Sequence, residues 1–136
     1  MDKHETIRKI FSQTRTIAVV GLSNKTDRPA NSVPAYLQQA GFRIIPVNPN
    51  LEQALGEPAF PDLSSIGEPI DVVQIFRRPE DIPPVVDEAI KIGAKAIWMQ
   101  LGIVHEEAAA RARAAGLDVI MDACMKVEHG RLTREA

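Results

Sequence analysis

The sequence predicts an α/β fold, a Rossmann-like doubly wound parallel sheet in a single three-layer domain. Three observations lead to this prediction. Short apolar runs alternate along the chain with amphipathic segments of helical length, which is the pattern of strand–helix–strand units. The runs are apolar at nearly every position, as in parallel strands that are covered on both faces. Turn-forming residues follow each run, and residues 1–136 are expected to form one domain.

The amino-terminal half is predicted to contain two helices and two strands of the main sheet. Apolar residues at helical spacing favour the first helix, and β-branched residues favour the first strand. Gly41 is the stop signal of the second helix. The predicted elements are a helix over residues 3–13, a strand over 16–20, a helix over 32–40, a strand over 43–47, a short strand near 57–60 and a helical turn near 63–66.

The carboxyl-terminal half repeats the alternation three times. Asp81 is a suitable N-cap, and Pro83 and Pro84 fit only the first turn of the helix that follows it. Gly93 and Gly116 mark helix ends. The predicted elements are a strand over residues 71–76, a helix ending at 93, a strand over 96–99, a helix over 106–115, a strand over 118–121 and a turn or helix at the C-terminus.

Composition excludes several classes of function. The formal net charge is −2, so no global basic field attracts nucleic acid or a membrane surface. One cysteine and three scattered histidines give neither a disulfide nor the spacing of a metal site. The start of the chain is charged and leads into no apolar segment typical of a secretory signal. These features predict a cytoplasmic protein without a metal.

The first strand ends at Gly21 and opens a polar loop, which is how an α/β sheet offers backbone N–H groups to a phosphate. Glycine lets an anion approach without a Cβ in the way. A dinucleotide fingerprint needs two further glycines, where this chain has Ser23 and Thr26. The second strand ends near Asn48, whereas an NAD-binding protein has an acid there. The pattern predicts a nucleotide site but disfavours plain NAD.

Five segments at the ends of the strands form a motif series. Ligands of open parallel sheets lie outside these carboxyl ends. The segments are Val19-Val20-Gly21-Leu22-Ser23, Pro46-Val47-Asn48-Pro49, Phe76-Arg77-Arg78-Pro79-Glu80-Asp81, Gln100-Leu101-Gly102 and Met121-Asp122-Ala123-Cys124-Met125-Lys126-Val127-Glu128-His129. From residue 16 to 132 the chain thereby resembles the family of small, stand-alone CoA-binding proteins, which are similar to the CoA-binding domain of the succinyl-CoA synthetase alpha subunit.

The resemblance implies that coenzyme A is the ligand. It implies that the loop from Gly21 to Asn24 holds the pyrophosphate through backbone N–H groups. The Asn48 turn and the segment from Phe76 would border adenosine, and the residues after Met99 would approach the pantetheine arm. The chain departs from the family pattern at Ala123, where an arginine is common, and at neutral Asn50. The expected ligand-binding residues are Gly21, Leu22, Ser23, Asn24, Lys25, Arg28, Asn48, Pro49, Asn50, Phe76, Arg77, Arg78, Gln100 and Leu101.

Several individual residues have competing interpretations. Lys25 and Arg28 either contact phosphate or are solvated loop cations, and the sequence does not decide which of Arg77 and Arg78 faces the ligand. Cys124 is interpreted as a buried core residue rather than a nucleophile. Glu128 and His129 are interpreted as a packing or hydrogen-bonding pair, so no catalytic residue is assigned.

The resulting hypothesis is a protein that binds CoA or an acyl-CoA as a non-catalytic binding or regulatory module. One alternative is a small NAD(P)-dependent oxidoreductase, disfavoured by the missing glycines and the missing acid. The other is the CoA-binding subunit of a two-protein acyl-CoA ligase, which would require a separate protein partner. The sequence identifies neither the acyl group nor the partner.

Overall fold

A five-stranded parallel sheet with helices on both faces forms the centre of the computed structural model, which describes residues 1–135. This architecture confirms the predicted Rossmann-like α/β class. The helices are α1 (Lys3–Gln13), α2 (Pro29–Gln39), α3 (Ile82–Lys91), α4 (Glu106–Ala114) and α5 (Met125–Glu135). The strands are β1 (Thr16–Val20), β2 (Arg43–Val47), β3 (Gln53–Ala54), β4 (Glu57–Pro58), β5 (Val72–Ile75), β6 (Ala96–Met99) and β7 (Asp118–Ile120).

The strand order of the large sheet is β2-β1-β5-β6-β7. Central β1 is paired on both sides, so that Ala18 lies beside Ile45 of β2 and Val73 of β5. The chain first adds a strand on one side of β1 and then continues on the other side. The order therefore reverses between β1 and β5, and ligands of doubly wound sheets bind at such a reversal.

Two apolar layers separate the sheet from its helices. One layer packs the sheet against α3 and α4, through residues such as Val86 and Ala109. The other packs it against α1, α2 and α5, with Trp98 fully buried. The alternating side-chain directions of each strand supply both layers, which explains why the strands are apolar throughout. No helix within residues 1–135 combines the length and apolar character needed to cross a membrane.

Helix α2 begins at Pro29, three residues before the predicted start at residue 32. Proline suits the first helical position because its φ is already helical and it needs no N–H partner there. Pro34 lies inside the helix and cannot donate to the Ala30 carbonyl. That carbonyl instead accepts the N–H of Ser23 at 3.1 Å, which ties the start of α2 to the loop after β1.

The segment after β2 forms a hairpin of which only the second strand was predicted. Strands β3 and β4 pair antiparallel around Leu55 and Gly56, both of which have positive φ. The predicted strand over 57–60 is shortened to β4, and Phe60 instead bridges to Val47. The helical turn predicted near residues 63–66 is a 3₁₀ turn. The observed ends of β5 and β7 differ from the predicted ends by one residue. Asp81 occupies the N-cap position of α3 but makes no side-chain cap bond.

Candidate functional site

A cavity of about 780 Å³ lies at the carboxyl ends of the strands, beside the reversal of strand order. Its volume falls within the range of small-molecule sites. Its walls come from the N-terminus of α2, the loops after β5 and β6, and the first turn of α5. The lining residues are Arg28, Pro29, Ala30, Ser32, Val33, Phe76, Arg77, Arg78, Pro79, Gln100, Leu101, Ile103, Cys124, Lys126 and Val127. We call this space the basic cavity.

The basic cavity is lined by four basic side chains, those of Arg28, Arg77, Arg78 and Lys126, and by no acidic one within residues 1–135. Arg78 approaches Glu80 at 3.4 Å. In the described part of the chain, no carboxylate lies within 4.0 Å of the other three. Unpaired cations that converge on a concave surface produce a positive potential, so the cavity is suited to an anion.

Arg77 and Arg78 both line the basic cavity but differ in their surroundings. The Arg78 side chain is 78% exposed and also lies 3.6 Å from Asp81. Arg77 is half-buried. An unpaired and half-buried guanidinium can donate two parallel hydrogen bonds to a phosphate, at a smaller entropic cost than an exposed one. Arg77 is therefore the better candidate of the two for direct ligand contact.

The N-terminus of α2 opens onto the same cavity. Its N-cap residue, Arg28, makes no side-chain cap hydrogen bond. The N–H groups of Asn31 and Ser32 donate to the Arg28 carbonyl, and Ala30 carries the first N–H of the helix. Helix N-termini attract anions because their N–H groups and the helix dipole present partial positive charge. The N-terminus of α2 therefore adds to the positive electrostatic potential of the arginines.

The loop from Gly21 to Lys25 lies outside the lining of the basic cavity. Several of its N–H groups already have partners: Gly21 donates to Val47 at 2.9 Å and Ser23 to Ala30 at 3.1 Å. The N–H of Lys25 donates to the Ser23 hydroxyl at 3.1 Å, while the Leu22 side chain is fully buried. These groups hold the loop in shape, and contact of the loop with a phosphate stays a prediction.

Glycine is required at position 21 by the backbone conformation and by the nearby carbonyl group of Phe76. The φ of Gly21 is +90°, and a Cβ added there would lie closer to the Phe76 carbonyl oxygen than a van der Waals contact permits. The Phe76 carbonyl thus gives a structural reason for glycine at this position, and approach of an anion to Gly21 stays a prediction. The close approach of the two strand ends brings Phe76 and Arg77 to the cavity wall.

Asn48, Pro49 and Asn50 also lie outside the lining of the basic cavity. The Asn48 amide donates to the Leu22 carbonyl at 3.0 Å, and its oxygen accepts the N–H of Asn50 at 2.9 Å. Asn24 likewise donates to the carbonyl of Gln53 at 3.0 Å. These amides connect the loop after β1 to the segment after β2. Their expected border with adenosine stays a prediction.

Gln100 connects the sheet to the start of α5. Its side-chain oxygen accepts the N–H of Met125 at 3.0 Å and the amide of Gln74 at 3.3 Å. The indole of Trp98 donates to the Ala123 carbonyl at 2.9 Å. The oxygen of buried Gln74 has no partner within residues 1–135. Side chains from β5 and β6 thus fix the backbone that enters α5 and lines the cavity.

Comparison with known proteins identifies the family of this chain. A model of the CoA binding domain matches residues 15–130. The chain belongs to this CoA-binding domain family. It is 45% identical over 123 residues to uncharacterized protein YneT of Bacillus subtilis (strain 168), across 90% of this chain and 91% of that one. The solved structure of cell-free ID.343 from Thermus thermophilus has a TM-score of 0.91 and 36% identity, covering 97% of this chain and 99% of that one.

A third relative in the comparison is a much larger enzyme. The ADP-forming acetate–CoA ligase II of Archaeoglobus fulgidus is 30% identical over 103 residues. The match covers 74% of this chain but 15% of the ligase. The CoA-binding domain described here thus corresponds to a small part of that enzyme.

Two residues of the C-terminal segment in this member of the CoA-binding domain family, Cys124 and Lys126, line the basic cavity although they were not predicted to do so. Cys124 was expected in the core, but it is half-buried and lines the basic cavity. Lys126 was not predicted at all, although it lies in the segment after the last strand. Its ammonium nitrogen is 5.5 Å from the centre of the Tyr36 ring, within the range of a cation–π contact. Ligand-binding residues were predicted at the carboxyl ends of the strands, which we call the strand-end rule. Had the rule included the first turn of the following helix α5, it would have selected Lys126.

The expected pair of Glu128 and His129 does not form. Glu128 instead accepts from Arg131 at 2.8 Å. His129 lies among aromatic rings on the face of α5 that packs against α1 and α2, and its Nδ1 is 2.8 Å from the Tyr36 hydroxyl. Burial lowers the pKa of His129 below its usual 6.5. The histidine joins three helices and does not line the basic cavity.

Proposed function

We propose that the whole chain acts as one domain that binds coenzyme A or an acyl-CoA in the basic cavity, as a non-catalytic binding or regulatory module. The observation that carries the proposal is the convergence of four basic residues and no acidic one, within residues 1–135, on one cavity of a chain with a net charge of −2. Coenzyme A carries a diphosphate and a 3′-phosphate, so it requires such a surface. Membership of the CoA-binding domain family supports the same ligand.

Two kinds of lining residue suit the two parts of the ligand. Arg28, Arg77 and the N-terminus of α2 would hold the phosphates. Leu101 and Val127 would lie against the pantetheine arm. Gln100 lines the cavity, but its side-chain oxygen is already shared by Met125 and Gln74, so it would act by fixing the start of α5. In this arrangement the thiol of the ligand points towards α5.

The oxidoreductase alternative receives less support from the same residues. An NAD site would need a carboxylate at the end of β2 to bind the ribose hydroxyls. That position is Asn48, whose amide is used to connect two loops. The cations of the cavity suit a third phosphate, which NAD lacks and which coenzyme A and NADP both carry.

The ligase alternative rests on the relative from A. fulgidus, in which a CoA-binding segment is part of an ADP-forming acetate–CoA ligase. In that case this chain would supply the CoA half of an active site completed by a second protein. The test combines the purified chain with a candidate ATP-grasp partner and measures formation of acyl-CoA. Activity that needs both proteins would favour this role over a purely regulatory one.

Calorimetric titration with CoA, dephospho-CoA and NAD tests the main proposal. Arg77→Gln should weaken CoA binding about 10- to 100-fold, since hydrogen bonds to charged groups contribute roughly 1.5–3 kcal/mol. Arg15→Gln removes the same charge from an exposed position before β1, at the opposite edge of the sheet, and should leave affinity unchanged. A loss for CoA alone would assign Arg77 to the 3′-phosphate, and an equal loss for dephospho-CoA to the diphosphate. Tighter binding of NAD than of CoA would overturn the proposal.

A further inference from the structure

A second cavity, of about 430 Å³, adjoins the basic cavity across a shared ridge. The ridge consists of Leu101, Cys124 and Val127, which line both spaces. The second cavity continues along the same rim of the sheet, between the end of β7, the first turns of α5 and the start of α1. Its other lining residues are Lys3, His4, Ile7, Asp122, Ala123, Glu128 and Arg131.

Four polar side chains of the second cavity, those of Asp122, Glu128, Arg131 and Lys3, already have a partner inside the protein. Asp122 accepts the N–H of Gly102 at 2.7 Å. Glu128 is paired with Arg131, and Lys3 donates to the Met121 carbonyl at 2.9 Å. Polar groups that are hydrogen-bonded to the protein make no demand on a ligand. An apolar group can therefore enter without leaving them unpaired.

The exposed surface of the second cavity is mostly apolar. Ile7 and Ala123 form its floor and are buried, whereas the ridge residues Leu101 and Val127 are 68% and 48% exposed. Large apolar side chains that stay exposed beside a cavity are covered when a ligand binds. The small side chain of Ala123 leaves room that a longer one would fill.

We propose that the second cavity is the acyl subsite of this protein and takes the short aliphatic acyl group of an acyl-CoA. The inference rests on the proposed CoA site, because the ridge is where the pantetheine arm would end. A thioester at the ridge continues directly into the second cavity, so its acyl chain would cover Leu101 and Val127. The protein would then distinguish acyl-CoA from free CoA by the aliphatic surface that the chain buries.

The first test is a titration of the wild-type protein with CoA, acetyl-CoA, butyryl-CoA and hexanoyl-CoA. Affinity should rise with chain length, by up to about fourfold for each buried methylene, since one methylene contributes roughly 0.8 kcal/mol. Ala123→Leu should abolish this dependence without changing the affinity for free CoA, because Ala123 lines only the second cavity. Ala30→Leu is the converse control: it narrows the basic cavity and should weaken all four ligands equally.

These variants separate the failure of the two proposals. If free CoA binds but affinity does not change with chain length, or the dependence survives in folded Ala123→Leu, the acyl subsite is refuted and the CoA site stands. If free CoA does not bind, both are refuted. A second measurement needs no variant: a CoA thioester with a photoreactive diazirine in a short acyl chain should label peptides from residues 1–8 and 122–131 of the wild-type protein. Labelling confined to α2 or α3 would refute the subsite.

Discussion

Replacing Gly21 with alanine tests whether the junction of β1 and β5 shapes the ligand site. Gly21 has a φ of +90°, and its added Cβ would collide with the carbonyl oxygen of Phe76. Gly116 is a matched control, since its φ is +92° and nothing lies within 4 Å of its added Cβ. Both variants lose about 1–2 kcal/mol of unfolding free energy from the left-handed backbone. Gly21→Ala should lose about 1–3 kcal/mol more, the typical cost of overpacking.

The same pair of variants should differ in ligand binding. Relief of the collision displaces Phe76, and Arg77 moves with it because the two are neighbours on the wall of the basic cavity. Gly21→Ala should therefore weaken CoA binding, while Gly116→Ala keeps the wild-type affinity. Urea denaturation gives the two unfolding free energies, and calorimetry at a temperature where both variants are folded gives the affinities. Equal destabilisation together with unchanged CoA affinity would refute the reasoning.

Three further predictions concern α5. Gln100→Leu should lower the unfolding free energy by about 1–3 kcal/mol in urea denaturation, because the Met125 N–H and the Gln74 amide lose their acceptor, and unchanged stability would contradict this role. Cys124 should react with a thiol reagent in the native protein and be protected by saturating CoA, and labelling that CoA does not slow would contradict its position on the cavity wall. Because burial lowers the pKa of His129, the folded protein binds fewer protons than the unfolded chain, and its stability should fall as the pH drops below about 6.5. This fall should be smaller in His129→Phe. Equal pH profiles of stability for the two proteins would contradict the prediction.

The sheet could be predicted from the sequence because burial on both faces leaves a plain signal. Each strand of the main sheet is a short apolar run, and the structure confirms all five to within one residue. The start of α2 could not be predicted in this way. Its first turn contains exposed Pro29 and half-buried Ala30, so it lacks a buried apolar face, and its position depends on the hydrogen bond from Ser23 to Ala30 across the loop.

The strand-end rule predicted part of the candidate site. Phe76 and Arg77 follow β5, next to the reversal of strand order, Gln100 follows the neighbouring β6, and all three line the basic cavity. The same rule selected Asn48, whose hydrogen bonds are made within the protein. A side-chain amide after a strand has the same sequence signature whether it binds a ligand or a neighbouring loop. Only the positions of the acceptors distinguish the two cases, and the sequence does not contain them.

The basic cavity brings together cations that have no counter-charge beside them. Elsewhere some basic side chains lie beside carboxylates, as Arg43 does beside Glu68 at 2.6 Å and Lys9 beside Asp118 at 3.0 Å, whereas others, such as Arg15 and Lys91, are dispersed over the surface. Around the cavity, Arg28, Arg77 and Lys126 lack such partners within residues 1–135. Like charges held together without counter-charges repel one another and destabilise the folded chain. A polyanion removes that repulsion, so the stability gained on binding should decrease as salt screens the cations.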